Sequence, residues 1–111
     1  MGFGKPASVG AAGEVWDNAG MEKGDELQEL RARVDAVDGE ILDALAKRTA
    51  LVKEIGRYKR AHNIEALDEG RRDALLKKWI ERGETLGLSK EFMASIIQTI
   101  HSYSVSVEKK S

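Results

Sequence analysis

The sequence predicts an all-α protein: a three-helix subunit with one very long N-terminal helix, paired with a second copy as an antiparallel or intertwined helical homodimer. Three segments carry apolar residues at steps of three and four, which is typical of helices with one buried face. No segment shows the two-residue alternation of a strand. The 111 residues are enough for one small domain. The reason to expect a partner is the length of the first helix.

The first helix is predicted over residues 25–62, with Asp25 as its N-cap. At 1.5 Å per residue it would measure roughly 55 Å, too long for a compact small monomer. Gly39 and Gly56 weaken it without ending it. Two shorter helices cannot cover its whole apolar stripe, so we expect a second copy to do so. The stripe consists of Leu27, Leu30, Val34, Val37, Ile41, Leu45, Val52 and Ile55.

Two shorter helices are predicted to follow. Asp68 suits the N-cap of the second helix, which ends in a turn at residues 83–87, and Ser89 suits the N-cap of the third. The predicted inward residues are Leu75, Leu76, Trp79 and Ile80 in the second helix, and Phe92, Ile96, Ile97, Ile100, Tyr103 and Val107 in the third.

Residues 1–24 are interpreted as a flexible N-terminal extension that precedes the domain at residues 25–111. They hold six of the eleven glycines and the only proline, and they show neither helical nor strand periodicity. The alternative is an ordered arm that contacts a partner through Val15 and Trp16.

The composition argues against several classes of protein. The net charge of −1 gives no basic excess for binding nucleic acid. Without cysteine there is no thiolate metal site, and no metal-binding motif accompanies the two histidines, so no metal is expected and both histidines are interpreted as structural. The chain lacks a long apolar run and the apolar core of a signal peptide, which predicts a cytoplasmic protein that does not span a membrane.

Two cations interrupt the apolar stripe of the first helix. Arg48 lies between Leu45 and Val52, and Lys59 follows Ile55. Eleven residues at 100° each bring Lys59 to within about 20° of Arg48 around the helix. Cations that face a core are costly unless an anion meets them. Their position therefore suggests an anionic ligand.

Other polar residues extend this set. Arg31 lies about 100° around the helix from Arg48, so it would enter a neighbouring subunit's pocket more easily than join Arg48 within one straight helix. Several cations in one pocket suit a small dianion, because arginine binds carboxylates through two hydrogen bonds. The structural alternatives stay open: long cationic side chains reach solvent from a core edge, and single charges often form surface pairs. The other members of the set are Asp68, Arg71, Arg72, Ser104 and Glu108.

The polar positions and the apolar spacing form one ordered set over roughly residues 26–108. Its members are Leu30, Arg31, Val34, Asp35, Val37, Asp38, Ile41, Leu42, Leu45, Arg48, Leu51, Val52, Ile55, Gly56, Lys59, Asp68, Arg71, Gly87, Leu88, Ile100 and Ser104. In this order and spacing the chain resembles the all-helical class of chorismate mutases.

The resemblance implies an intertwined homodimer that converts chorismate to prephenate, a step toward phenylalanine and tyrosine, without a metal or an organic cofactor. By position, Arg48 and Arg31 would bind the two substrate carboxylates, with Arg31 supplied by the other subunit. Lys59 would hydrogen-bond the ether oxygen, which gains negative charge as its bond to carbon breaks. The residues implied to line the pocket are Asp68, Arg71 and Ser104.

Two positions depart from the family pattern. Arg72 stands where a glutamate usually accepts the ring hydroxyl of the substrate, and Glu108 stands where many bacterial members have glutamine. An ionised Glu108 would repel the charge that grows on the ether oxygen, so the first hypothesis is that activity rises toward acidic pH. The rival hypothesis is that Arg72 pairs with Glu108 and keeps it ionised.

Two other functions are compatible with the same fold. An isochorismate-pyruvate lyase would use a similar cationic pocket for a related dianion, but Ser104 and the spacing from Asp68 to Arg71 favour the mutase. A non-catalytic dimerisation or regulatory module is the alternative that the two altered positions support.

Overall fold

A computed structural model describes residues 23–111, which form three α-helices without a strand in that range. Helix α1 spans Lys23–Ala61, α2 spans Glu69–Thr85 and α3 spans Lys90–Lys110. The chain divides into two units at the junction between Ala46 and Lys47, within α1. The all-α class and the three predicted helices are confirmed. The predicted extension, residues 1–24, lies outside the described residues except for its last two, which belong to α1.

The part of α1 that lies in the first unit carries an exposed apolar row. Leu30, Val34 and Val37 are 50%, 58% and 53% exposed, and the remaining stripe residues of this unit are also exposed. The predicted N-cap is wrong: α1 begins at Lys23, and Asp25 lies in its first turn. A carboxylate there still interacts favourably with the free N–H groups and the positive end of the helix dipole.

Helices α2 and α3 begin at the predicted caps. The Asp68 carboxylate accepts a hydrogen bond from the Arg71 amide at 3.0 Å, and the Ser89 hydroxyl accepts one from the Phe92 amide at 3.1 Å. Gly87 follows α2 with a φ of 77°, a conformation that glycine adopts without strain. These caps set where both helices start, and therefore which side chains face α1.

The second unit packs the end of α1 with α2 and α3 around a small core. Its buried apolar residues are Val52, Leu75, Met93 and Ile97. The buried face of α3 differs from the predicted one, because Phe92 and Tyr103 are 51% and 56% exposed. The residues that α3 does bury are Met93, Ile97, His101 and Ser104.

Helices α1 and α3 approach each other closely at Gly56. A Cβ added there would lie 2.8 Å from the Glu108 carbonyl oxygen and 2.9 Å from the Glu108 Cα. These are backbone atoms, so they cannot move aside without moving α3. The absence of a side chain at Gly56 thus determines how near Glu108 lies to α1.

Replacing Gly56 by alanine is expected to lower the free energy of unfolding by about 1–3 kcal/mol through overpacking. Alanine's better helix propensity offsets only about 1 kcal/mol of that cost. Urea unfolding followed by circular dichroism measures the change, at equal protein concentrations. Gly70→Ala is the matched control, because its Cβ would meet only the Asp68 carboxylate at an ordinary 3.4 Å. Equal or greater stability of Gly56→Ala would contradict the close approach.

Candidate functional site

Arg48 and Ser104 join α1 to α3 in the second unit. The Arg48 guanidinium donates a hydrogen bond to the Ser104 hydroxyl, which in turn donates to the Ile100 carbonyl oxygen at 2.9 Å. Ser104 is 4% exposed, so this pair lies inside the unit. The bond uses one part of the guanidinium and leaves other N–H groups for a ligand, since arginine has five donors.

Lys59 and Glu108 form a second link between the same helices. The Lys59 ammonium lies 2.7 Å from the Glu108 carboxylate, and the two side chains are 19% and 9% exposed. Lys59 also donates to the Ala66 carbonyl oxygen at 2.9 Å. Both links follow from helical spacing: Ser104 and Glu108 lie one turn apart on α3, and Arg48 and Lys59 lie three turns apart on α1.

The start of α2 adds two more arginines. Arg71 and Arg72 are both exposed, and Arg72 lies 3.5 Å from Glu69 and 3.7 Å from Asp73. The hypothesis that Arg72 pairs with Glu108 is therefore wrong. Glu108 meets Lys59 instead, because residues near the start of α2 already supply carboxylates to Arg72.

We call Arg48, Lys59, Arg71 and Arg72 the basic cluster. Burial lowers the pKa of Arg48, the charge of Arg71 lowers it further, and Glu108 partly opposes both. Repulsion between neighbouring cations such as Arg48 and Arg71 is relieved when an anion binds. The cluster is thus suited to a small ligand with more than one negative charge.

His101 lies within the field of these charges, although its predicted role is only structural. It is 8% exposed, and its Nε2 is buried without a hydrogen-bond partner in the described part of the chain. Burial lowers its pKa, Arg48 and Arg72 lower it further, Glu108 opposes them, and Arg71 adds a smaller lowering. Because His101 lies three residues before Ser104 and seven before Glu108, helical periodicity places all three on the same face of α3. This spacing is the sequence signal that could have identified His101.

The remaining predicted residues lie apart from these contacts or at the margin. Arg31 is exposed on α1 in the first unit. Asp68 is exposed and caps α2. Within residues 23–111, no group of three or more acidic or histidine side chains is placed to hold a metal ion. The same range includes no helix both long and apolar enough to cross a membrane.

Comparison with known proteins gives one family and a set of relatives. The family model described as chorismate mutase type II matches residues 30–109. The chain is similar to the 4-amino-4-deoxychorismate mutase of Streptomyces venezuelae, with 32% identity over 80 residues, which are 72% of this chain and 78% of that protein. A protein of the same name from Streptomyces pristinaespiralis is 32% identical over 68% of this chain and 59% of its own length.

A third relative is much longer. The T-protein of Enterobacter agglomerans is 31% identical over 75 residues, which make up 68% of this chain but 20% of the T-protein. This chain thus spans about a fifth of the T-protein and most of the Streptomyces venezuelae relative.

Proposed function

Because this chain belongs to the chorismate mutase type II family, we propose that it rearranges chorismate to prephenate and that the basic cluster is its active site. The observation that carries the proposal is the pair of links from α1 to α3, Arg48 to Ser104 and Lys59 to Glu108. The family match, residues 30–109, includes all four of these residues. Two of them, Arg48 and Lys59, are cationic donors on one side of α1, which supports a site for the rearrangement of a dianion.

The reaction breaks the ether C–O bond of chorismate and forms a C–C bond within the same molecule. It needs neither an oxidant nor a net proton transfer, so catalysis comes from positioning and electrostatics. In our proposal Arg48 binds one carboxylate and holds the reactive chair conformation. Lys59 turns from Glu108 to the ether oxygen, where negative charge develops as the bond breaks.

Three residues at the margin of the cluster are proposed to orient the ring side of the substrate. Arg71 supports this role through its electrostatic effect on Arg48. Ser104 holds the Arg48 guanidinium in place. Asp68 fixes the start of α2 by capping it, and thereby positions both Arg71 and Arg72.

The active form is proposed to be a homodimer in which Arg31 of each chain completes the site of the other. The exposed apolar row of the first unit supports this, because a row of six apolar side chains is costly to leave in water. The row consists of Leu27, Leu30, Val34, Val37, Ile41 and Leu45. A cytoplasmic location stays a prediction from the sequence.

Replacing Glu108 by glutamine tests the part proposed for this residue. The Glu108 carboxylate competes with the ether oxygen for Lys59, whereas a glutamine amide would leave Lys59 free and could itself donate a hydrogen bond. We expect Glu108→Gln to raise kcat/KM for chorismate at neutral pH by about tenfold. Glu91→Gln, at an exposed position in the first turn of α3, is the control and should leave the rate unchanged. A rate for Glu108→Gln at or below that of the wild type would refute this role. The rise of activity toward acidic pH stays a prediction from the sequence.

Chorismate consumption followed by ultraviolet absorbance tests the function itself. Prephenate as the product supports the mutase, while pyruvate would identify a lyase of the same fold. No turnover at any pH between about 4 and 8 would indicate a non-catalytic module.

A further inference from the structure

A small cavity between α2 and α3 contains an unsatisfied imidazole. Its volume is about 30 Å³, room for roughly one water-sized group. His101 is 8% exposed, and its Nε2 has no hydrogen-bond partner among residues 23–111. A buried polar atom of this kind is costly unless a ligand or water meets it. The residues that line the cavity are Arg72, Leu76, Ile97, Gln98 and His101.

The position of His101 relates this cavity to the basic cluster. His101 lies on the face of α3 that carries Ser104 and Glu108, which contact Arg48 and Lys59. The charges that act on it come from all three helices: Arg48 on α1, Arg71 and Arg72 on α2, and Glu108 on α3. The unsatisfied nitrogen is therefore at the edge of the proposed active site, on the side where α2 begins.

The chemistry of the cavity favours a neutral polar group. A neutral imidazole has one donor and one acceptor nitrogen, and a hydroxyl group can pair with either. An ammonium group in the same place would lie beside the positive charge of Arg72 and within the field of Arg48 and Arg71. Glu108 is the opposing charge, but it is paired with Lys59. Among residues 23–111, no carboxylate lines this cavity.

We propose that His101 and Arg72 select the ring substituent of the substrate: His101 Nε2 hydrogen-bonds the ring hydroxyl of chorismate, and Arg72 disfavours an ammonium group at that ring position. This inference rests on the proposed function and gives it a substrate preference. It separates this chain from its Streptomyces relatives, whose name specifies a 4-amino-4-deoxy substrate. It also supplies a hydrogen-bond acceptor for the ring hydroxyl, which arginine, having donors only, cannot provide.

The experiment compares kcat/KM for chorismate and for 4-amino-4-deoxychorismate in the full chain and its variants. We expect the wild type to prefer chorismate by roughly 10- to 100-fold. His101→Leu removes the hydrogen bond at similar volume and should lower kcat/KM for chorismate by about 10- to 100-fold, with a much smaller change for the amino substrate. His101→Gln keeps a polar terminus in reach of the cavity and should recover most of the loss. Arg72→Gln, which removes the positive charge without adding a carboxylate, should shift the preference toward the amino substrate.

A second histidine provides the matched control. His62 is exposed, stacks on Tyr58 at a ring distance of 4.0 Å and donates one hydrogen bond from Nδ1 to the Tyr58 carbonyl oxygen, so His62→Leu should leave the substrate preference unchanged. Circular dichroism and urea unfolding check that each variant folds. If His101→Leu does not fold, His101→Gln and the exposed Arg72→Gln still carry the test.

The possible outcomes distinguish a failure of this inference from a failure of the proposed function. Turnover of chorismate with equal losses for both substrates in the His101 variants would overturn the inference and leave the mutase intact. A wild-type preference for the amino substrate would overturn it as well. Turnover of neither substrate by the wild type would overturn the proposed function, and the inference with it.

Discussion

Replacing Arg48 by alanine is expected to lower kcat/KM for chorismate by about 100- to 1,000-fold, the loss typical of removing one charged donor from a preorganised site. The half-buried guanidinium is held by Ser104, and its pKa is lowered by burial and by Arg71, so it is poised to bind an anion. Alanine removes both the charge and the paired N–H donors. Arg48→Lys should keep the charge but lose the two-point contact, and should therefore have intermediate activity.

Arg57→Ala is the control for this prediction, because Arg57 is an exposed arginine of the same helix and unit. Its activity should match the wild type within about threefold, as expected of surface substitutions. The folded state and the oligomeric state of each variant are measured by circular dichroism and by size-exclusion chromatography. Wild-type activity of Arg48→Ala would place the active site elsewhere in the molecule.

Mixing two inactive variants tests whether the site is shared between chains. Arg31→Ala should also lose activity if the partner's arginine completes the site. Co-refolding Arg31→Ala with Arg48→Ala should then restore roughly a quarter of wild-type activity, because half of the dimers are mixed and each has one intact site. Activity that stays at the level of the separate variants would argue against the shared site while leaving Arg48 in its role.

The sequence was sufficient for the helices because their signals are local. Asp68 and Ser89 were recognised as caps from residue type and position, and both accept the expected amide. Asp25 was misplaced because a carboxylate is favourable both at the N-cap and in the first turn, so its presence does not fix the first helical residue. The misplacement leaves the rest of α1 unaffected.

Predicting the buried face of α3 required information that the sequence does not contain. Apolar residues lie on more than one side of this helix, so periodicity alone leaves open whether Phe92 or Met93 faces the core. The structure buries Met93, which fits against the bare backbone of Gly83. That choice rotates the helix so that His101 faces inward while Tyr103 faces outward.

The candidate site was predictable where it depended on helical spacing and not where it depended on helix packing. Arg48 and Lys59 were noticed as cations in an apolar stripe, and the structure brings them to Ser104 and Glu108. The sequence favours a structural role for His101, since one histidine on a mixed helix is more often structural than functional. The packing of α2 against α3 shows that its Nε2 is enclosed without a hydrogen-bond partner among the described residues.

Replacing Lys59 by methionine is expected to reduce kcat/KM for chorismate by about 1,000-fold, the upper end of the loss for a single donor. Methionine keeps an unbranched side chain of similar length but removes the ammonium that faces the ether oxygen. It also leaves the Glu108 carboxylate, 9% exposed and formerly 2.7 Å from that ammonium, without its partner. A negative charge would then face the oxygen on which negative charge develops.

The double variant Lys59→Met with Glu108→Gln separates these two effects. Removing the uncompensated carboxylate should recover about tenfold of the loss, so the two substitutions should be strongly non-additive. Lys53→Met is the control, an exposed lysine on the same helix that should retain wild-type activity. Additive losses from the single variants would mean that Glu108 does not act on the same oxygen as Lys59. In that case the ion pair would stabilise the contact between α1 and α3 and have no part in the chemistry. The loss of kcat/KM in Lys59→Met would then follow the loss of folding stability in that variant.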